Sequence, residues 1–150
     1  MYETVLWATD ASPLADGALK VALELLQPGG RLIAFHCDER FHGSRAGGMP
    51  LIADELDLLE RLSAQIDELR EDGIDAELRV ETTHRNTVGE IARAAETCDA
   101  DVIVCGTRGF GIVAGAVAGS VAMRLPHVAS CPVVVVSEKA MDRAALVAIA

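Results

Sequence analysis

Two short stretches hold residue types that can grip a phosphorylated ligand. The first, Thr9-Asp10-Ala11-Ser12, sets two hydroxyls and a carboxylate directly after the apolar run Val5-Leu6-Trp7-Ala8. The second runs from Gly106 to Ser120 as GTRGFGIVAGAVAGS after the apolar Val102-Ile103-Val104-Cys105. Glycines in such a turn let backbone N–H groups approach phosphate oxygens with no Cβ between them. Gly119-Ser120 is placed to open a helix, which would add bare N–H donors, the positive end of a dipole and the Ser120 hydroxyl. Arg108 is the one cation of this stretch.

A metal centre is the weaker reading of the remaining reactive side chains. His36, Cys37, Asp38 and His42 are close in sequence, but adjacent strand residues point to opposite faces and no ligand spacing recurs. A hydrogen-bonded histidine and a buried thiol fit better. The four cysteines, Cys37, Cys98, Cys105 and Cys131, form no CxxC pair. Three of them lie in or beside apolar runs, where cysteine behaves as a small hydrophobe, so neither disulfides nor a zinc knuckle is expected.

Charge excludes whole classes of partner. A formal net charge of −10, with no cluster among the 13 basic residues, repels nucleic acid and anionic lipid. Any phosphate must therefore be held by local geometry. The 150 residues, 51% of them apolar, suit one domain over 1–150 with a real core. No apolar run reaches membrane-spanning length, and Met1 to Asp10 carries acids where a signal peptide would be basic, so a cytoplasmic protein is expected.

The elements that must position these residues alternate along the chain. Glu3 to Thr9 reads as a strand, followed by Ser12 as a helix cap and Pro13 at the first helical position. That helix presents Leu14, Ala18, Val21 and Leu25, and Pro28-Gly29-Gly30 stops it. Arg31 to Cys37 is the second strand. A polar loop from Asp38 to Gly48 precedes a long helix with Ile52, Leu56, Leu59, Leu62, Ile66 and Leu69 at helical spacing, ending at Gly73. Ile74 to Glu81 alternates as a strand near an edge. Thr87-Val88-Gly89-Glu90 has the form of a capping box and opens a third helix. Asp101 to Cys105 and Val133 to Val136 read as strands covered on both faces, with a helix from about Ser120 between them that Pro126 should kink or shorten. Five strands alternating with four helices predict a doubly wound parallel α/β sheet, whose ligands bind beyond the strands' carboxyl ends.

The spacing Gly106-x2-Gly109-x9-Gly119-Ser120 is similar to the nucleotide-binding signature of ATP-binding universal stress proteins. Val5-Leu6-Trp7-Ala8-Thr9-Asp10 and Cys131-Pro132-Val133-Val134-Val135-Val136 resemble that family's first and last strands, and the resemblance covers Glu3 to Glu138. It implies a Rossmann-like five-stranded sheet of order 3-2-1-4-5, related to the adenine nucleotide alpha hydrolase-like fold. It also implies that Ala8, Thr9 and Asp10 contact adenosine and that Cys37 lines the adenine pocket. Cys105, Gly106, Arg108, Gly109, Gly119, Ser120 and Val121 would surround ribose and phosphates. ATP, with Mg²⁺ held through its phosphates, is the implied ligand, and a nucleotide-responsive regulator of stress adaptation without dedicated catalysis is the implied function. The family implies a homodimer through the last strand. Independently, four valines on an open edge need cover.

Other readings stay open. Phe110 to Ala118 contains no basic residue, unlike many ATP-binding relatives, which favours an adaptor whose nucleotide site has decayed. The glycines could simply shape a close-packed turn, and Asp10 could serve only as a turn or cap residue. An enzyme using the same crevice would hydrolyse ATP slowly, for the chain lacks a GxxxxGK[ST] loop and offers no general base besides Asp10. Thr83-His84-Arg85-Asn86 replaces the glycine and proline often found after the family's third strand.

Overall fold

The computed structural model describes residues 1–39, 50–83, 86–107 and 120–140. The chain runs β1 (Tyr2–Ala8), α1 (Pro13–Leu25), β2 (Leu26–Glu39), α2 (Pro50–Glu71), β3 (Asp75–Thr83), α3 (Thr87–Thr97), β4 (Val102–Gly106), α4 (Ser120–Arg124), a 3₁₀ turn (Leu125–His127) and β5 (Val133–Val136). The five strands form one parallel sheet in the order β3-β2-β1-β4-β5. The doubly wound topology read from the sequence is therefore the one observed.

Parallel pairing requires a crossover between successive strands, and the helices that supply the crossovers cover both faces. Alternate residues of each inner strand feed two separate cores. Val5 and Trp7 of β1 join Leu32 and Ala34 of β2 and Val102 and Val104 of β4 beneath α1 and α2. Leu6 and Ala8 join Ile33, Phe35, Ile103 and Cys105 beneath α3 and α4. Val5, Leu6 and Trp7 are fully buried, so each contributes about 1.5–3 kcal/mol of hydrophobic stabilisation. The indole Nε1 of Trp7 donates to Ala15 O at 2.9 Å, which ties β1 to the first turn of α1.

Local signals hold at several ends. Ser12 caps α1, its Oγ accepting from Ala15 N at 3.3 Å, with Pro13 next. At the end of α2, Gly73 N reaches Arg70 O and Ile74 N reaches Leu69 O, both at 3.0 Å, with Gly73 at φ 84°. This is the Schellman arrangement that an exit glycine permits. Pro126 does shorten the last helix, which gives way to the 3₁₀ turn after Arg124.

Other boundaries and faces differ from the sequence expectation. The buried stripe of α1 is Ala15, Ala18, Leu19 and Ala22, while Val21 and Leu25 are only partly buried, because the close approach to the sheet favours small side chains. Pro28-Gly29-Gly30 lies inside β2 instead of between elements: α1 ends at Leu25 and the strand starts at once. Gly29, at φ 76°, sits where the β1–β2 register slips between Tyr2↔Leu26 and Thr4↔Arg31. A Cβ on Gly30 would come within 2.7 Å of Glu3 O, so the strand needs glycine there. Thr87 is the first residue of α3, not its cap. Asn86 occupies the cap position without a side-chain bond, and its N–H donates to Thr83 Oγ1 at 3.3 Å.

Leu56 points to solvent, 58% exposed, while Leu62 and Ile66 are buried. β3 is an edge strand as expected: Ala76 is buried, and Asp75 and Glu81 on the opposite face are exposed. Its alternation decays toward the carboxyl end, where Val80 is also exposed. β5 is the other edge and is not covered on both faces: only Val136 is buried, and Val135 is exposed.

Candidate functional site

The chain leaves β1 toward β2 and β3 on one side, then returns to β4 and β5 on the other, so the sheet's topological switch point lies between β1 and β4. A crevice outside the carboxyl ends of those strands is the ligand position of open parallel sheets. Ala8 and Cys105 are register partners there, and Ala8 also pairs with Phe35. Thr9 and Asp10 follow Ala8, and Gly106, half-buried and paired with Val136, follows Cys105.

The Thr9–Ser12 turn is fixed by its own hydrogen bonds. Thr9 N donates to Phe35 O at 2.9 Å, Ala11 N to Thr9 Oγ1 at 3.0 Å, and Ser12 N to Asp10 Oδ1 at 3.0 Å. Short polar side chains that accept from the N–H two residues on impose such a turn locally. Ala11 adopts φ 59°, an unusual value for a residue with a Cβ, and is fully buried. Thr9 and Ser12 are buried as well. Asp10 thus serves the turn, as its bland reading holds, and it does so at the switch point.

An apolar wall flanks the turn. Ala8 and Cys105 belong to the core beneath α3 and α4, and Cys37 and Val121 pack against that same cluster while half-exposed. Four predicted residues on four elements therefore share one side of the sheet. Half-exposed apolar groups beside a polar turn suit one face of a flat heteroaromatic ring. Ser120 is exposed at the start of α4. Arg108, Gly109 and Gly119 lie outside the described residues.

Three side chains brace the turn from α2 and β2: His36, which the sequence reading expected to be hydrogen-bonded, and Glu55 and Arg61, which it missed. His36 is buried, 4% exposed, with Nδ1 3.0 Å from Thr9 O and Nε2 2.8 Å from Glu55 Oε1. Arg61 donates through a guanidinium nitrogen to Ala11 O. One signal was available: Glu55 precedes Leu62 by seven residues and Ile66 by eleven, so an acid stands on the buried stripe of the helix. Its partner could not be read, because it comes from another strand.

Among the described residues, no three His, Cys, Asp or Glu side chains gather as a metal site. Cys37 is half-exposed and not the buried thiol expected, while the other three thiols are raised away from the reactive thiolate form. Burial pushes Cys105 up to about 11, and burial likewise raises Cys98 and Cys131. They act as core atoms. The Cys105 side chain is 3% exposed, so it backs the apolar wall from within the core.

Fold and site together define a doubly wound α/β domain of the kind that receives ligands at its switch point. The universal stress protein family model matches residues 1–137, and the chain belongs to that family. It is 31% identical to the universal stress protein Sll1388 of Synechocystis, over 90% of this chain and 97% of that one. A universal stress protein family structure from Burkholderia pseudomallei superposes with TM-score 0.64 at 26% identity, over 90% of this chain and 96% of that one. Two further neighbours carry ligands. An Arabidopsis thaliana family member with AMP bound matches at 18% identity and TM-score 0.58, covering 89% of this chain and 90% of that one. A universal stress protein in complex with cAMP matches at 23% identity and TM-score 0.58, covering 90% of this chain and 96% of that one.

Proposed function

We propose that the chain binds an adenine nucleotide, ATP in the first instance, in the crevice at the carboxyl ends of β1 and β4, and acts as a nucleotide-responsive regulator of stress adaptation in the cytoplasm. The observation that carries this reading is the hydrogen-bonded Thr9–Ser12 turn at the switch point, with the half-exposed Cys37 and Val121 packed against the core cluster that Ala8 and Cys105 join. The AMP and cAMP held by two structural neighbours share the adenosine part that such a wall would take. In this reading Ala8, Cys37 and Val121 face the base, and Thr9 and Asp10 meet the nucleoside. Backbone N–H groups around Gly106, Gly109, Gly119 and Ser120, with Arg108, meet the phosphates, and Mg²⁺ would offset phosphate charge in a protein of net charge −10. Occupancy would alter the surface shown to a partner. Dedicated catalysis is not part of the proposal.

We further propose a homodimer through β5, whose outer edge and exposed Val135 would be covered by a second copy. A second functional reading, an adaptor with a decayed site, is favoured by the absence of Lys and Arg from Phe110 to Ala118.

The test begins with mass spectrometry of small molecules released when the purified protein is denatured. Calorimetric titration of the emptied protein with ATP, AMP and cAMP, with and without Mg²⁺, completes it. Retained nucleotide or micromolar binding, weakened by Gly119→Ala, is the expected result. A folded protein that neither retains nor binds nucleotide leaves the adaptor reading.

A further inference from the structure

Both ring nitrogens of His36 face acceptors. Thr9 O is a carbonyl and can only accept, so Nδ1 carries a hydrogen and donates to it at 3.0 Å. Glu55 Oε1 stands 2.8 Å from Nε2, and an ionised carboxylate also only accepts. A neutral imidazole with its hydrogen on Nδ1 would oppose a lone pair to that carboxylate. The two contacts coexist only when the His36–Glu55 pair holds one more proton than neutral imidazole plus carboxylate. The contact is largely sheltered, with the His36 side chain 5% exposed and that of Glu55 26%.

What the pair holds is the turn of the candidate site. His36 fixes the carbonyl of Thr9, and Arg61, on the same helix as Glu55, fixes the carbonyl of Ala11. Thr9 and Ala11 flank Asp10, so β2, braced by Glu55 of α2, holds the backbone on one side of it and α2 holds it on the other. No such grip is needed for folding alone, because an apolar pair at positions 36 and 55 would fill the same interface without burying polar groups.

We infer that His36, Glu55 and Arg61 are positioning residues of the nucleotide site, holding the backbone on either side of Asp10. This inference rests on the nucleotide-binding reading. Breaking the His36–Glu55 contact loosens α2 from the turn and weakens binding.

Glu55→Gln separates the proton from the contact. A glutamine amide N–H can donate to Nε2 of neutral His36, which preserves the geometry without the extra proton. The experiment titrates the parent, Glu55→Gln, Glu55→Leu and Arg61→Met with ATP and with adenosine. Glu55→Leu and Arg61→Met should each bind about tenfold more weakly, the size of one charge-assisted hydrogen bond, while Glu55→Gln, which keeps a hydrogen bond to His36, should change by less than about twofold. Adenosine carries no phosphate, so an equal loss with both ligands belongs to the turn. A Glu55→Leu variant that binds as tightly as the parent, or a Glu55→Gln variant that loses as much as Glu55→Leu, overturns the inference and leaves nucleotide binding standing. A folded parent that binds neither ligand overturns both.

Discussion

The two ends of the parallel sheet use polar side chains in opposite ways. At the amino-terminal end, Asp101 Oδ2 accepts from Glu3 N at 3.0 Å and Thr4 N at 2.9 Å, and Arg31 donates to Cys98 O at 3.1 Å. These groups lie near water and close backbone donors and acceptors that the strand edges leave over. At the carboxyl end, Thr9, Ser12 and His36 are buried, and their contacts define the shape of one turn. Buried polar groups cost free energy unless every one is paired, and among the described residues no buried side-chain nitrogen or oxygen lacks a partner. The amino-terminal end is a seam; the carboxyl end is a constructed surface.

Four measurements test that contrast, beginning with the largest effect. Trp7→Ala removes a fully buried indole and its bond to Ala15 O beneath the turn, so denaturant unfolding should show a loss of about 3–5 kcal/mol. Equal stability would mean that the turn stands without its support from below.

Alkaline titration probes the wall. Cys105 has its ionisation raised from 9.0 to about 11 by burial, so the stability that its neutral form contributes is intact below pH 9.0 and is lost as pH rises toward 11. A shift of that size corresponds to about 2–3 kcal/mol, and Cys105→Ala should remove that alkaline component from the unfolding curves. An unchanged curve would place the thiol in water.

At the seam, Asp101→Ala should cost about 1–2 kcal/mol by stranding two backbone donors, while leaving nucleotide affinity unchanged. A weakened affinity would join the two ends functionally and undo the contrast. The smallest expected stability change, about 1 kcal/mol, belongs to Ser12→Ala, which loses the α1 cap. Its affinity for nucleotide should nevertheless fall several-fold, since the same hydroxyl lies in the turn.

Much of the fold is legible in the chain because the signals are local. Ser12-Pro13 opens α1, Gly73 closes α2 and Pro126 cuts the last helix short, each through the geometry of its own few residues. A continuous apolar run marks β4 as an inner strand and alternation marks β3 as an edge, but the same apolar signal misplaces β5, which is the other edge. The start of β2 is misread because Pro28-Gly29-Gly30 is a turn signal in isolation. Pairing with β1 overrides it: the bulge absorbs the glycines, and Glu3 O leaves room for nothing larger at Gly30. Thr87 is likewise one residue out as a cap, since Thr83 supplies the hydroxyl that meets Asn86 N.

The candidate site divides the same way. Thr9, Asp10 and Ser12 could be picked out because a polar cluster after an apolar strand in an alternating chain falls at a strand's carboxyl end, and the first and fourth strands flank the switch point. That much follows from residue order alone. Which side chains brace the turn was decided only in three dimensions. His36 and Glu55 are nineteen residues apart, and Arg61 is fifty residues from Ala11. No periodicity links such positions. A hydrogen bond between a strand and the helix packed on it depends on where the helix sits over the sheet, and that placement is a property of the assembled core.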